Sequence, residues 1–392
     1  MPIILLPTDN PDPFLLQLQK LFTDGYGLPV PQKYTKLTDG LINQTYSIDG
    51  LWILQHVNKV FGPQVNEDIA ELTAILQKRG VPVPQMCRAK SGNYYIMGED
   101  FGLTPGPWRI MTKLEGKTFH FVENIEQIRA LARIISRFHA ALDDCHYTFK
   151  HTRPGVHDFD RHYKALDRAI AEHADHRLYT QVQQLYEQIQ HLSKFVKYNE
   201  VMACEDLRII HGDPKISNFL FADSLAFGMG EGPHSAPFGE NDSLSEYKDC
   251  GFQGAQPLGG IRGSAPDKNV ITGVVDLDTM AKSRAAFDVG DAIRSWCNPH
   301  PEDVEPQYNK EYAREALGLY LEETKCLTRA ERDSLPHAAP FITLELAMRF
   351  AKDALCEDYF GFNPDIGHGE HSLMRARAMY TLCAQMLESI RN

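Results

Sequence analysis

Ile209-Ile-His-Gly-Asp-Pro-Lys-Ile-Ser-Asn-Phe-Leu-Phe221 is the stretch on which the reading of this chain turns. An apolar pair runs into His211, Gly212 and Asp213, Asn218 comes five residues after the Asp, and an apolar run resumes at once. The pattern predicts a short buried strand, a loop bearing a carboxylate and a carboxamide, and a second strand. Phosphoryl transfer to an alcohol needs a carboxylate to orient the hydroxyl and take its proton. It also needs oxygen ligands for the cation that neutralises the phosphates. Asp213 and Asn218 are of these two kinds.

A second acidic element follows at Gly273-Val-Val-Asp276-Leu-Asp278-Thr279. It predicts a buried strand, Val270 to Leu277, whose carboxylates sit opposite the first loop and bridge metal to phosphate. Asp and Asn also favour ordinary strand-to-turn junctions, which would explain either motif alone. Both in this order, with helical patterns around them, make that explanation the weaker one.

Working outward, Pro13 to Asp24 has the spacing of an amphipathic helix. Tyr34 to Ile48 and Trp52 to Val57 read as strands joined by an Asp49-Gly50 turn, and Asn66 to Lys78 as a helix stopped by Gly80 and Pro82. Tyr94 to Met97 and Trp108 to Leu114 add strands. Residues 1–115 are thus expected to form a β-rich N-lobe. Residues 116–392 are expected to form a mainly helical C-lobe, with helices at 124–142, 161–173, 178–194, 310–323 and 341–354. Residues 227–269, rich in Gly, Ser, Pro and Asp, predict a mobile surface loop, because they bury too little apolar area to offset their ordering entropy.

At 392 residues, 43% hydrophobic and 23% charged, the composition is that of a globular chain of two domains. A net charge of -12 without a basic run disfavours nucleic acid and anionic membranes as partners. The eight cysteines include no CxxC pair, which argues against zinc ribbons. The short apolar start lacks the basic flank of a signal peptide, so a cytoplasmic protein is expected. His157-Asp-Phe-Asp-Arg-His162 hints at a metal site, but the sequence offers no third convergent ligand. His139, in an apolar helical stripe, is expected to be packed and hydrogen-bonded.

HGDxxxxNxxF followed by a VDLD strand resembles the aminoglycoside phosphotransferase and choline kinase superfamily. Further matches are similar to the N-acetylhexosamine 1-kinases: Asp39-Gly-Leu-Ile-Asn-Gln-Thr-Tyr46, Trp52-Ile-Leu-Gln55, Asp276 to Thr279, Phe287 to Arg294 and Ala347-Met-Arg-Phe350. The resemblance implies an α+β, protein-kinase-like two-lobed fold with ATP and Mg2+ in the cleft. It implies a small-molecule acceptor, most readily a sugar hydroxyl at the anomeric position. By the same resemblance Asp213 is the catalytic base, Asn218 and Asp276 hold the metal, and Asp278 supports it. Lys215 would meet the transferring phosphate, with a solvated surface lysine as the alternative. Asp39, Gly40 and Asn43 would cover the phosphates, and Gln55 stands on the strand where protein kinases carry a phosphate-binding Lys. Arg349 would contact the sugar. Asp288 and Asp291 are read as carboxylates that tie down loop and helix ends.

The chain departs from the protein kinases at one place and from the hexosamine kinases at two. Gln55 cannot supply a positive charge, so the usual Lys–Glu ion pair is expected to be absent. Leu41 stands where the hexosamine kinases have a sugar-contacting His, and the loop is HGD where theirs is HND. Acceptors such as aminoglycosides, choline or other amino alcohols therefore stay open, as does a nucleotide-binding regulatory protein without catalysis.

Overall fold

A computed structural model describes residues 12–37, 42–223 and 269–391. The chain forms two compact units, residues up to Leu114 making one, and Glu115 onward, with the chain from 269, making the other. The segment expected to be a mobile loop lies outside the described residues, apart from Asn269.

In the first unit, α1 (Pro13–Lys20) is capped by the Asp12 side chain, with Pro at its first position, and continues as a π-helical turn, Leu21–Tyr26. Strands β1 (Tyr34–Leu37), β2 (Gln44–Ile48) and β3 (Trp52–His56) are followed by α2 (Val65–Lys78), β4 (Ile96–Met97) and β5 (Pro107–Thr112). They make an antiparallel sheet in the order β1-β2-β3-β5-β4. Asp49 and Gly50 both take positive φ, and the Leu51 N–H closes on the Ile48 carbonyl at 3.0 Å, so the expected turn joins β2 to β3. Alternation places Tyr46, Ile48, Leu54, Trp108 and Ile110 on one face, against Leu18, Leu21 and Phe22. The single strand expected over 34–48 is two strands, and the one over 94–97 shrinks to two residues.

In the second unit the helices are α3 (Ile125–Ala141), α4 (Phe159–Glu172), α5 (Tyr179–Ser193), α6 (Tyr198–Met202), α7 (Ala285–Trp296), α8 (Lys310–Glu323), α9 (Arg329–Ser334), α10 (Ala338–Cys356) and α11 (His368–Arg391). Short strands β6 (Arg208–Ile210), β7 (Phe219–Phe221), β8 (Ile271–Val274) and β9 (Ala281–Ser283) pair as β6-β9 and β7-β8. Polar caps begin the helices where the sequence supplies them. Asn124, Asp158 and Asn309 each accept from the first turn, and Thr328 with Glu331 forms a capping box. α10 is apolar nearly all round and is packed by α4, α5, α7 and α11. Among the described residues no helix is long and apolar enough to cross a membrane.

Candidate active site

β6 delivers His211, Gly212 and Asp213 to one end of α7, and that helix pins the loop. The buried Asp288 carboxylate accepts from the His211 N–H at 2.7 Å and from the Gly212 N–H at 2.7 Å. It also accepts from His139 Nε2 at 3.0 Å, and His139 Nδ1 shares a hydrogen bond of 2.6 Å with the Tyr320 hydroxyl. Burial works against the charge on Asp288, but His139 and the backbone donors outweigh it and hold the carboxyl below its ordinary range. Further along α7, the Ser295 hydroxyl accepts from Ile216 N–H and the Trp296 indole donates to the Pro214 carbonyl.

Within the loop, Lys215 Nζ donates to Asp213 Oδ2 at 2.7 Å, and Asn218 Nδ2 donates to the same oxygen at 3.2 Å and to the Asp213 carbonyl at 2.7 Å. Asp213 keeps a quarter of its side chain exposed. Burial works against the charge of Lys215, yet the Asp213 and Asp276 carboxylates raise its pKa above the usual value.

The second acidic element reaches the same place through strand register. Phe219 on β7 faces Val274 on β8, and the Val275 N–H donates to the Asn218 carbonyl at 2.9 Å, so Asp276 leaves its strand beside Asn218. His211 ties the two together: its Nε2 donates to the Val275 carbonyl, and its own carbonyl accepts from Thr279 Oγ1 at 2.9 Å. Asp276 takes φ 61°, a left-handed conformation that turns the chain into the Leu277–Thr279 helical turn. Burial and the buried Asp278 push the Asp276 carboxyl up to about 6, against the pull of Lys215. A carboxyl held back from ionising is one that a cation would draw into its charged form.

Among the described residues no three His, Cys, Asp or Glu side chains converge as a metal cluster. The donor set nevertheless fits magnesium, which is held by one or two carboxylates with phosphate oxygens and water completing its shell. Asp276 supplies a carboxylate, and Asn218, whose NH2 serves Asp213, has its amide oxygen to offer. Asp278 stands behind them as a buried neighbour of Asp276.

The candidates in the first unit divide. Asp39, Gly40 and Leu41 lie outside the described residues. Asn43 is buried, and its Oδ1 accepts from the Asn58 N–H at 2.9 Å. Gln55 Oε1 accepts from Arg109 Nε at 2.9 Å and Nη2 at 2.6 Å, while its Nε2 donates to Thr45 Oγ1 at 3.0 Å. Arg109 is the cross-strand partner of Gln55, is 2% exposed, and donates to Asn66 Oδ1 on α2 at 3.3 Å. The positive charge missing from β3 therefore stands one strand over. Sequence reasoning missed it, although an Arg amid the apolar residues of β5 was the available signal.

Arg349 lies on α10, a fifth of its side chain exposed, beside the Tyr359 and Phe360 rings and 3.9 Å from Glu345. Asp291, one turn after Asp288, pairs with Arg294 at 2.8 Å. Arg294 in turn meets Glu302 at 2.9 Å, and Arg375 reaches Glu302 at 2.5 Å.

A model of the APH phosphotransferase enzyme family matches residues 33–228, half of the 392-residue chain. The microcompartment-associated aminopropanol kinase is similar in structure, with a TM-score of 0.58 at 13% identity, over 96% of this chain and 98% of that one. The GDP complex of wild-type aminoglycoside 2'-phosphotransferase-IIIa gives 0.53 at 13% identity, over 94% of this chain and 99% of that one. Amicoumacin kinase hAmiN with AMP-PNP, Ca2+ and Ami gives 0.53 at 14% identity, over 91% and 89%. These likenesses show a shared fold: the β-rich N-terminal unit and helical C-terminal unit of kinase-like phosphotransferases.

Proposed function

Since this chain belongs to the APH phosphotransferase enzyme family, we propose that it moves the γ-phosphate of ATP onto a hydroxyl of a small polar molecule, with Mg2+ as its cation. The observation that carries the proposal is the meeting of Asp213, Asn218 and Asp276 through the β7–β8 register and the His211 tether. Nucleotide and divalent-cation use is further supported by neighbours of the same fold bound to GDP and to AMP-PNP with Ca2+.

Asp213 is the base. Its Oδ2 is held by Lys215 and Asn218, and among the described residues no hydrogen bond falls on Oδ1, the oxygen assigned to the acceptor proton. The acceptor O–H bond breaks as its oxygen forms a bond to the γ-phosphorus. The bond from that phosphorus to the bridging oxygen breaks with it, ADP leaves, and the proton goes to Asp213. Lys215, beside the base and drawn toward Asp276 as well, is placed to stabilise charge on the moving phosphoryl group. Asn218 and Asp276 are assigned to the metal, with Asp278 supporting Asp276. A bound magnesium ion supplies neutralisation of the phosphate charge. Asn43, Asp39 and Gly40 are assigned to the nucleotide, with Gln55 holding Arg109 in place on that side. Positioning and charge neutralisation, with no covalent intermediate, do the catalysis.

For the acceptor we favour a sugar with a free anomeric hydroxyl, such as an N-acetylhexosamine. That hydroxyl is more acidic than an ordinary alcohol and suits an unassisted carboxylate base. Arg349 is assigned to its recognition. Amino alcohols and aminoglycosides are the second reading, favoured by the names of the structural neighbours. ADP release with N-acetylhexosamines, hexoses, aminoglycosides and choline decides between them. Asp213→Asn should cut acceptor-dependent release by about 10²–10⁴-fold while nucleotide binding persists. Full activity in that variant, or ATP binding with no turnover on any acceptor, would refute the catalytic reading.

A further inference from the structure

The helical unit holds a second polar cluster that phosphoryl transfer does not use. Glu345, in the middle of α10, is 1% exposed. Three cationic or titratable side chains surround its Oε1. His157 Nδ1 is 3.3 Å away, His162 Nε2 3.7 Å and Arg349 Nη1 3.9 Å. None of these approaches makes a hydrogen bond. Glu345 Oε2 and His157 Nδ1 are both buried and both lack a partner. A buried carboxylate oxygen without a donor costs folding free energy, and a donor from a bound molecule would recover it.

The rim of the cluster reaches solvent. His157, His162 and Arg349 each keep between 16 and 20% of their side chains exposed, so Glu345 forms a floor beneath a polar rim. It also adjoins the catalytic loop. The His157 ring lies 4.6 Å from that of Phe287, the residue before the loop-pinning Asp288. One turn further along α7, Asp291 feels the charges of both His157 and Asp213.

We propose that Glu345, His157, His162 and Arg349 form an acceptor subsite that reads hydroxyl groups of a neutral, polyhydroxylated ligand. This rests on the kinase reading above and deepens it by naming the residues that read the ligand's hydroxyls. A carboxylate oxygen and an imidazole nitrogen side by side, each lacking a partner, are the complement of a hydroxyl. The O–H donates to Glu345 Oε2, and its oxygen accepts from the imidazole N–H. Charge excludes the rival acceptors. Arg349 already balances Glu345, so a cationic amine would bring a second positive charge against the guanidinium. His162 adds no charge of its own, since burial lowers its pKa despite the pull of Glu345 and favours the neutral ring.

The test is acceptor binding measured by calorimetry in the presence of AMP-PNP and Mg2+, with glucose and N-acetylglucosamine as neutral probes and kanamycin and choline as cationic ones. Wild type should bind a neutral probe, and Glu345→Gln should weaken that binding by about 10- to 100-fold, the effect of losing a hydrogen bond to a charged group. The ligand-free Glu345→Gln protein should melt no lower than wild type, because the buried carboxylate, whose Oε2 has no donor, is gone. His157→Ala, at a partly exposed position, should weaken sugar binding in the same direction and guards against misfolding of the first variant. If only the cationic probes bind, or if Glu345→Gln melts lower and binds sugar as before, the subsite proposal is overturned while the kinase reading stands. If wild type fails to bind AMP-PNP, the kinase reading falls, and the subsite with it.

Discussion

Asp288→Asn tests how the catalytic loop is held. The carboxylate receives three donors, from His211 N–H, Gly212 N–H and His139 Nε2, with no solvent near. An amide in its place turns one oxygen into an NH2 group. Whichever way it faces, it meets at least one N–H donor and offers only one accepting oxygen. Breaking a buried, hydrogen-bonded charge in this way costs about 3–5 kcal/mol. In a unit of this size each kcal/mol moves the melting point by roughly 2–4 °C, so the expected loss is on the order of 10 °C. Turnover should fall as well, by about 10²-fold, because Asp213 and its base geometry depend on the two backbone bonds. The sign with pH is fixed by the lowered carboxyl. Its contribution is complete above the unfolded value of about 4 and is lost only as pH falls through the lower folded value, so the wild-type advantage should narrow in acid. Differential scanning calorimetry from pH 3 to 8, with ADP release at pH 7, measures both effects. A variant melting within about 1 °C of wild type, with unchanged turnover, would show that the loop is held by something else.

Two further outcomes are expected. Gln55→Lys restores the residue that protein kinases use, but sets an ammonium against the buried Arg109 and removes the oxygen that accepts twice from it. The N-terminal unit should lose about 3 kcal/mol or more in denaturant unfolding, and a stabilised or more active protein would sink the idea that Arg109 is the resident cation. Glu302 is held down to about 2 by Arg294 and Arg375, against the opposing effect of burial. Its stabilisation is present above pH ~4.5 and drains as pH falls toward 2, so acid unfolding of Glu302→Gln should be flatter across that window; an identical acid limb counts against the pairing.

Much of this was legible in advance because it is local. The HGD and DLD elements announce themselves through apolar strands that end in carboxylates, and the Asp49-Gly50 turn through residues that tolerate positive φ. His139 was expected to be hydrogen-bonded, yet its link to Asp288 spans 149 residues and no spacing rule could have named the partner. The same holds for the third group near His157 and His162: Glu345 sits far downstream on α10, and only the packing of α4 against α10 brings it there. Arg109 escaped notice because a cation in a β-strand usually faces water, whereas this one is turned inward onto Gln55 by strand register. The helix α11 was overlooked although Leu373, Ala376, Met379, Leu382 and Met386 are buried at helical spacing.

The second residue of the HGD loop sets a limit on how parts may be exchanged with relatives. Gly212 takes φ +85°, and a Cβ there would run into the carbonyl oxygen of Thr279, a backbone atom that no rotamer change can move aside. An asparagine tolerates the left-handed angle, as an HND sequence requires, but not the collision. Transplanting that asparagine alone into this scaffold would wedge the two acidic loops apart, and Asn218 and Asp276, proposed to hold the metal, would separate with them. The glycine and the close pass of the Thr279 backbone therefore form one steric unit, and a working chimera has to carry both segments together.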